Sequence, residues 1–185
     1  MVIKASGLAA GKGVLLPETN DEGLTALKEI MLDAEFGDAG REVIIEERLS
    51  GEEVSLLAFC DGRNLSPMPP SQDHKRLLDQ DKGPNTGGMG AYSPAPCLSK
   101  EIENLAIKTI LQPAVDGLAE EGMPYVGVLY AGLMLTEDGP KALEFNARFG
   151  DPETQVILPL LETDLLEIFA ACCAGNLHTL PVRWS

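Results

Sequence analysis

Apolar positions change their spacing several times along this chain, and each change marks a different element. Residues 2–5 and 14–16 are short apolar runs on either side of Ser6-Gly7-Leu8-Ala9-Ala10-Gly11-Lys12-Gly13, which predicts two strands joined by a glycine-rich turn. Leu24, Leu27, Ile30, Met31 and Ala34 then recur at helical spacing. Thr19 with Glu22 behind it is a capping box, so a helix is predicted over about 20–35, ended by Gly37 and Gly40. Residues 42–48 read as a strand. Residues 54–60 read as a stronger one, closed by the Asp61-Gly62 turn.

Residues 63–98 break that order. Six of the 13 prolines fall there, with the run Gly83-Pro84-Asn85-Thr86-Gly87-Gly88-Met89-Gly90, and a loop of this length is unusual unless it lines a site. Ile102, Leu105, Ala106 and Ile110 restore a helical stripe from Ser99, which Pro113 either kinks or divides and Val115 and Leu118 carry onward. Residues 127–135 and 141–146 pair as an antiparallel hairpin through Glu137-Asp138-Gly139, and 163–173 form a last helix ended by Gly175-Asn176. Helices alternating with hairpins, without internal repeats, predict an α+β fold.

With 185 residues the chain can form one substantial core or two small lobes. Its 29 acidic against 14 basic residues, a net charge of −15, make it a poor non-specific partner for nucleic acid, since it cannot displace phosphate counterions in bulk. A local basic pocket could still hold a small phosphate ligand. No apolar run reaches the roughly 20 residues that span a bilayer, so no membrane partner is expected. The four cysteines, Cys60, Cys97, Cys172 and Cys173, include no CxxC pair, which argues against a disulfide scaffold or a zinc knuckle. The opening MVIKAS carries no signal-peptide core, and a cytoplasmic location is expected. Both ends stop without a frayed polar segment or a cap, so the chain reads as an excised piece of something larger.

Candidate chemistry falls in four places. Lys4 on a strand and Lys12 among glycines suggest a phosphate clamp, because glycine exposes N–H groups to an anion and lysine adds a point charge. The spacing departs from a Walker A loop, and the same residues also read as a flexible hairpin. Glu46 and Glu53 end apolar strands, where a carboxylate can accept ribose hydroxyls, or simply form a solvated acidic turn. Asp73-His74-Lys75-Arg76 is the densest basic spot; Lys75 and Arg76 suit anion contacts better than His74 suits catalysis. Finally, in Glu144-Phe145-Asn146-Ala147-Arg148-Phe149-Gly150-Asp151-Pro152-Glu153, strand alternation puts Glu144, Asn146 and Arg148 on one face, with Phe145 and Phe149 turned into a core. Two hard oxygen ligands two residues apart suit Mg²⁺, and Arg148 could hold a phosphate or carboxylate bidentately. The bland alternative is an edge strand with a wet polar face.

Taken together, KASGLAAGKGV at 4–14, EERLSGEE at 46–53, PMPPSQDHKRLLDQDKGPNTGGMGAYSP at 67–94, GVLYAGLM at 127–134 and LEFNARFGDPETQ at 143–155 resemble the phosphoribosylamine–glycine ligase (glycinamide ribonucleotide synthetase) family of ATP-grasp enzymes. In metazoans such a ligase is commonly the first unit of a trifunctional purine-synthesis protein. The resemblance implies a partial ATP-grasp fold. Residues 1–48 would be the C-terminal part of the lid subdomain, 49–175 the main subdomain, and 176–185 the start of a linker to an absent C-terminal domain. The missing N- and C-terminal domains of the parent enzyme would then be partners.

The same resemblance implies ATP and Mg²⁺ (or Mn²⁺) as cofactors, and glycine and 5-phosphoribosylamine as substrates. Lys4 would contact ATP phosphates, with Gly11 and Lys12 in a mobile loop over residues 7–13. Glu46 and Leu49 would meet the adenine, Glu53 the ribose, and Glu144 and Asn146 the magnesium. Lys75, Asp81, residues 85–88, Arg148 and Asp151 fall in motifs around phosphoribosylamine and glycine. Lys75 and Asn85 are counted there as binding residues, and Lys12, Arg148 and Asp151 as catalytic candidates. The reaction implied is amide formation through glycyl phosphate, giving glycinamide ribonucleotide, ADP and phosphate. The alternative is a catalytically incomplete fragment that serves only as a nucleotide-binding or interaction module. One departure stands out: many ATP-grasp proteins carry a further metal carboxylate 12 or 13 residues before the Glu144 position, where this chain has Gly132 and Ala131.

Overall fold

The computed structural model describes residues 1–7, 9, 13–74, 76–79, 82–86 and 88–185, and at 76 and 82–85 the backbone alone. It divides into two compact units, Met1–Leu49 and Ser50–Ser185, each with its own core.

The first unit is built from β1 (Val2–Ala5), β2 (Val14–Leu15), helix α1 (Asn20–Met31) and β3 (Val43–Glu46), with β1 central in an antiparallel sheet of order β2-β1-β3. Thr19 caps α1 by accepting from the Glu22 N–H at 3.2 Å. The Glu22 carboxylate, however, reaches the N–H of Glu18 at 2.8 Å, one residue outside a standard box. The helix stops at Met31, short of the expected 35, and Ala34 adopts φ 53° before a 3₁₀ turn takes up Gly37–Gly40. Its inward face is also rotated one step from the predicted stripe. Ala26, Leu27 and Ile30 pack with Ile3 and the buried Gly23 faces Met1 and Pro17, while Leu24 and Met31 point outward, because small residues let a helix approach strands only four residues long.

The second unit is centred on two long strands. β4 (Glu52–Asp61) and, later, β10 (Val126–Thr136) pair antiparallel along their length in a sheet of order β11-β10-β4-β5, with β5 (Leu65–Pro67) and β11 (Gly139–Asn146) at the edges. Both central strands read as nearly continuous apolar runs because both sheet faces are buried. On one face Val54, Leu56, Ala58, Ala131 and Leu133 meet α2 (Lys100–Ala106) and the segment holding Ala95 and Leu98. On the other, Leu57, Phe59, Val128 and Tyr130 meet Ile157 of α4 (Glu153–Ile157) and Ile168 and Cys172 of α5 (Leu165–Ala174). Each fully buried Val, Leu, Ile or Phe among them contributes about 1.5–3 kcal/mol.

Pro113 sits in the first turn of a second helical segment, as one of the two expectations had it, without breaking the helical path. A π turn at Ile107–Leu111 joins α2 to α3 (Gln112–Glu120), a wide turn placed where proline has no N–H to give. Leu105, predicted inward, is 44% exposed. The short α4 escaped the sequence reading. Asp164 caps α5 by accepting from the N–H groups of Leu166 (2.7 Å) and Glu167 (3.4 Å), and Gly175 at φ 69° ends it. Residues beyond it pack on the same unit: the Leu177 N–H donates to Asp61 Oδ2 at 3.0 Å, and Trp184 stacks on Phe59 at 6.4 Å. Among the described residues no helix is long and apolar enough to cross a membrane.

The stretch 63–98 is less irregular than its composition suggests. β6 (Gln72–Asp73) pairs with β9 (Ala91–Tyr92), and β7 (Arg76–Leu78) with β8 (Lys82–Asn85), both antiparallel. The backbone bonds His74 N–H to Gly90 O (2.9 Å) and Met89 N–H to His74 O (2.8 Å) lie between these pairs. The basic motif and the glycine-rich run are thus two arms of one folded-back ribbon.

Candidate functional site

β11 ends at Asn146, and the last residues of that strand carry the predicted metal pair. In the β10–β11 register Glu144 lies across from Gly132, and Asn146 across from Tyr130. Asn146 Nδ2 donates to Glu144 Oε1 at 3.2 Å, and an Arg148 guanidinium nitrogen donates to Asn146 Oδ1 at 3.4 Å. The other guanidinium nitrogen donates to the Phe149 carbonyl at 2.8 Å. Glu144, Asn146 and Arg148 therefore form one hydrogen-bonded row, although Arg148 lies past the strand and reaches back by its length rather than by alternation.

The predicted aromatic pair behind that row divides. Phe149 does enter a core, edge-on to Phe59 (6.4 Å) and near Phe169 (6.5 Å). Phe145 does not: it is 44% exposed, on an edge strand with a neighbour on one side only.

A carboxylate and an amide oxygen at one strand end are the hard donors that Mg²⁺ prefers, and few protein ligands suffice where phosphates and water complete the shell. Among the described residues no three His, Cys, Asp or Glu side chains gather to hold a metal unaided. The chemistry of Glu144 and Asn146 fits a magnesium ion shared with a phosphate ligand.

The turn after β11 meets the folded-back ribbon. Gly88, at φ 113°, lies so close to Pro152 and Asp73 that a Cβ there would come 2.8 Å from Pro152 Cδ and 3.2 Å from Asp73 Oδ1. Any side chain at 88 would force the two apart, so glycine is demanded by both backbone and space. Asp151, beside Pro152, is exposed, and its Oδ1 accepts from Gln155 Nε2 at 2.6 Å. His74 packs against the Tyr92 ring at 5.3 Å. Tyr92 in turn donates to Gln72 Oε1, and Gln72 Nε2 donates to the Glu53 carbonyl at 3.0 Å.

Beside the row lies a buried polar triangle that sequence reasoning missed. Tyr130 Oη donates to Glu153 Oε1 at 2.8 Å, Ser55 Oγ donates to the same oxygen at 3.1 Å, and the two hydroxyls are 2.8 Å apart. All three residues are under 7% exposed. Burial pushes the Tyr130 phenol well above its usual range, opposed by the hydrogen bond with Ser55 and reinforced by the charge of Glu153. The signal available in the sequence was the pair of polar residues, Ser55 and Tyr130, inside otherwise apolar strands.

The remaining predicted residues separate. In the first unit, Lys4 Nζ pairs with Glu46 Oε2 at 2.7 Å, Glu46 closes β3, and Leu49 follows it half-buried. In the second, Glu53 is an exposed residue near the start of β4. Asn85 lies in β8, its backbone paired with Arg76. Gly11, Lys12, Lys75, Asp81 and Gly87 lie outside the described residues.

Against known proteins, the family described as phosphoribosylglycinamide synthetase, ATP-grasp (A) domain, matches residues 1–154. The trifunctional purine biosynthetic protein adenosine-3 of Bos taurus is 62% identical over 183 residues, covering 98% of this chain and 18% of that protein. Its Gallus gallus counterpart is 62% identical over 184 residues, covering 100% and 18%. Among solved structures, the phosphoribosylamine–glycine ligase of Thermotoga maritima superposes with a TM-score of 0.82 at 37% identity, covering 95% of this chain and 44% of that one. The chain thus spans less than a fifth of the length of these two animal relatives. The family match over residues 1–154, well over half of the chain, places it in the phosphoribosylglycinamide synthetase, ATP-grasp (A) domain family.

Proposed function

We propose that the chain is the ATP- and metal-binding part of a purine-biosynthetic ligase that joins glycine to 5-phosphoribosylamine. The observation that carries this reading is the row Glu144–Asn146–Arg148 at the end of β11, next to a glycine-rich ribbon. Carboxylate, amide oxygen and guanidinium together suit a metal and the phosphates it neutralises.

In this reading Glu144 and Asn146 hold Mg²⁺ (or Mn²⁺), which when bound offsets charge on the β- and γ-phosphates of ATP. Lys4 contacts the phosphates, Glu46 and Leu49 the adenine, and Glu53 the ribose. Residues 7–13, with Gly11 and Lys12, cover the phosphates. The glycine carboxylate attacks the γ-phosphorus, ADP leaves, and the amine of 5-phosphoribosylamine attacks the glycyl phosphate carbonyl with loss of phosphate. Arg148 supplies positive charge where negative charge grows, and Asp151, Lys75 and Asn85 orient the two substrates. Little covalent help is needed; position, charge and exclusion of water from an acyl phosphate carry the rate. Because the chain spans 18% of its animal relatives, a second reading is nucleotide binding without turnover, the missing domains of the parent completing the site.

Calorimetric titration of the chain with Mg²⁺–ATP, beside Glu144→Ala, tests the reading. Saturable binding that this substitution weakens is the expected result. A folded chain that binds no nucleotide, or binds it equally well without Glu144, would overturn it. Amide formation from glycine and 5-phosphoribosylamine separates the ligase from the binding module.

A further inference from the structure

Glu153 has no part in the reaction above, yet its carboxylate is held in the interior at 3% exposure. A buried carboxylate contributes little stability that an apolar side chain of similar size would not, so stability alone is a weak reason for it. Its hydrogen bonds lead toward the site. Oε1 accepts from Tyr130 and Ser55, on the two central strands. Oε2 lies so close to the Gly150 backbone that a Cβ there would come within 2.3 Å of it.

The Tyr130 ring carries this contact onward. One edge, at Cε2, would be 3.0 Å from a Cβ on Gly150, and the other, at Cε1, 3.7 Å from one on Gly132. Gly132 lies across from Glu144, and a Cβ on it would also be 3.2 Å from Glu144 Cγ; Tyr130 itself lies across from Asn146. A single ring therefore packs between the backbone beside Glu144 and Asn146 and the turn that carries Arg148 and Asp151.

We propose that Glu153 is a positioning residue for metal–nucleotide binding. Acting through Tyr130 and Gly150, it fixes the spacing between the Glu144–Asn146 pair and the turn bearing Arg148 and Asp151. This rests on the reading of Glu144 and Asn146 as the magnesium ligands. Mg²⁺ tolerates little distortion of its ligand geometry, and supports behind the ligands commonly change metal affinity about 10–100-fold when removed.

The test titrates the full chain with ATP, in Mg²⁺ and in excess EDTA, comparing Glu153→Ala, Glu153→Gln, Tyr130→Phe and Glu144→Ala. Glu153→Ala is expected to weaken binding about tenfold in Mg²⁺ and to leave it unchanged in EDTA. Glu153→Gln keeps an acceptor oxygen and restores the magnesium-dependent part. Tyr130→Phe keeps the ring and loses only the hydroxyl; it shows the same selective loss at smaller size, and carries the test if Glu153→Ala fails to fold. A merely structural role lowers both affinities alike, and that outcome overturns the proposal. If Glu144→Ala loses magnesium-dependent binding while the Tyr130 and Glu153 variants keep it, the inference falls and the ligase reading stands. If Glu144→Ala changes nothing, both fall.

Discussion

Glu153 and Tyr130 stand 23 residues apart in the chain and meet in a buried 2.8 Å hydrogen bond. That contact ties the turn after β11 to the centre of the sheet, and it dictates what the neighbouring positions can be. Glu153 can fold back this far only because residue 150 has no side chain.

Gly150→Ala is therefore expected to destabilise the second unit. The added methyl would lie 2.3 Å from Glu153 Oε2, 2.7 Å from its carboxyl carbon and 3.0 Å from the Tyr130 ring. The carboxylate must swing away and leave both hydroxyls with one partner fewer. Overpacking of this kind costs about 1–3 kcal/mol, read as a lowered melting temperature. The double variant with Glu153→Ala relieves the clash, so its loss should be smaller than the sum of the two single losses. Simple additivity would show that the two residues do not meet as described.

Two serines paired across the same bridge should respond in opposite ways. Ser55 and Ser71 exchange backbone hydrogen bonds at 2.8 and 3.0 Å, and both are buried. Ser55 Oγ is fully engaged with Tyr130 and Glu153, whereas Ser71 Oγ is buried without a partner among the described residues. Ser55→Ala leaves a buried carboxylate and phenol under-satisfied and is expected to cost about 1–3 kcal/mol. Ser71→Ala removes an unsatisfied hydroxyl and should leave the melting temperature level or raised. Equal losses in the two variants would contradict this assignment.

The candidate site was legible in the sequence to different depths. Glu144, Asn146 and Arg148 could be read as neighbours because strand periodicity is a local property, and the row forms. The same periodicity misplaced Phe145, since alternation says which face a residue takes but not whether anything covers that face. The α1 stripe was misread by one step for a related reason: Gly23 and Ala26 score as weak apolar signals, yet small residues are what close packing on short strands selects. Glu153 stood in plain view as one acid among several. Its burial depends on Ser55 and Tyr130, 98 and 23 residues away, and no local pattern carries that information.

Thiol chemistry offers an independent check on the second core. All four cysteines are free; Cys60 and Cys172 are buried, Cys97 is half-buried and Cys173 is exposed. Burial raises the Cys60 and Cys97 thiols, and it pushes Cys172 up to about 11. The thiolate is the reactive form, so a disulfide reagent at pH 8 should label Cys173 quickly and the other three only slowly until denaturant is added. Rapid reaction of Cys172 beside Cys173 would mean that α5 does not pack on the sheet as described.

Asp61 makes stability depend on acid. Burial pushes its carboxyl up, but hydrogen bonds from the Asn64 backbone (2.7 Å) and side chain, the Arg63 N–H (3.1 Å) and the Leu177 N–H (3.0 Å) outweigh burial, so its pKa lies below the ordinary value. A carboxyl depressed in the folded state binds its proton more readily in the unfolded chain. Its stabilising contribution is therefore complete above the unfolded value, about 3.9, and is lost as pH falls through the lower folded value. Asp61→Asn turns one acceptor into a donor facing other donors, and should cost about 1–3 kcal/mol at neutral pH. Because Leu177 anchors the segment after α5, early loss of the Trp184–Phe59 stack should accompany that cost, visible in tryptophan fluorescence. The gap between the two melting curves should narrow below about pH 4, where the unfolded chain takes up the proton first and the native carboxyl follows at lower pH. A gap that stays constant down to pH 3 would show that the ionised form of Asp61 is not what holds this corner together.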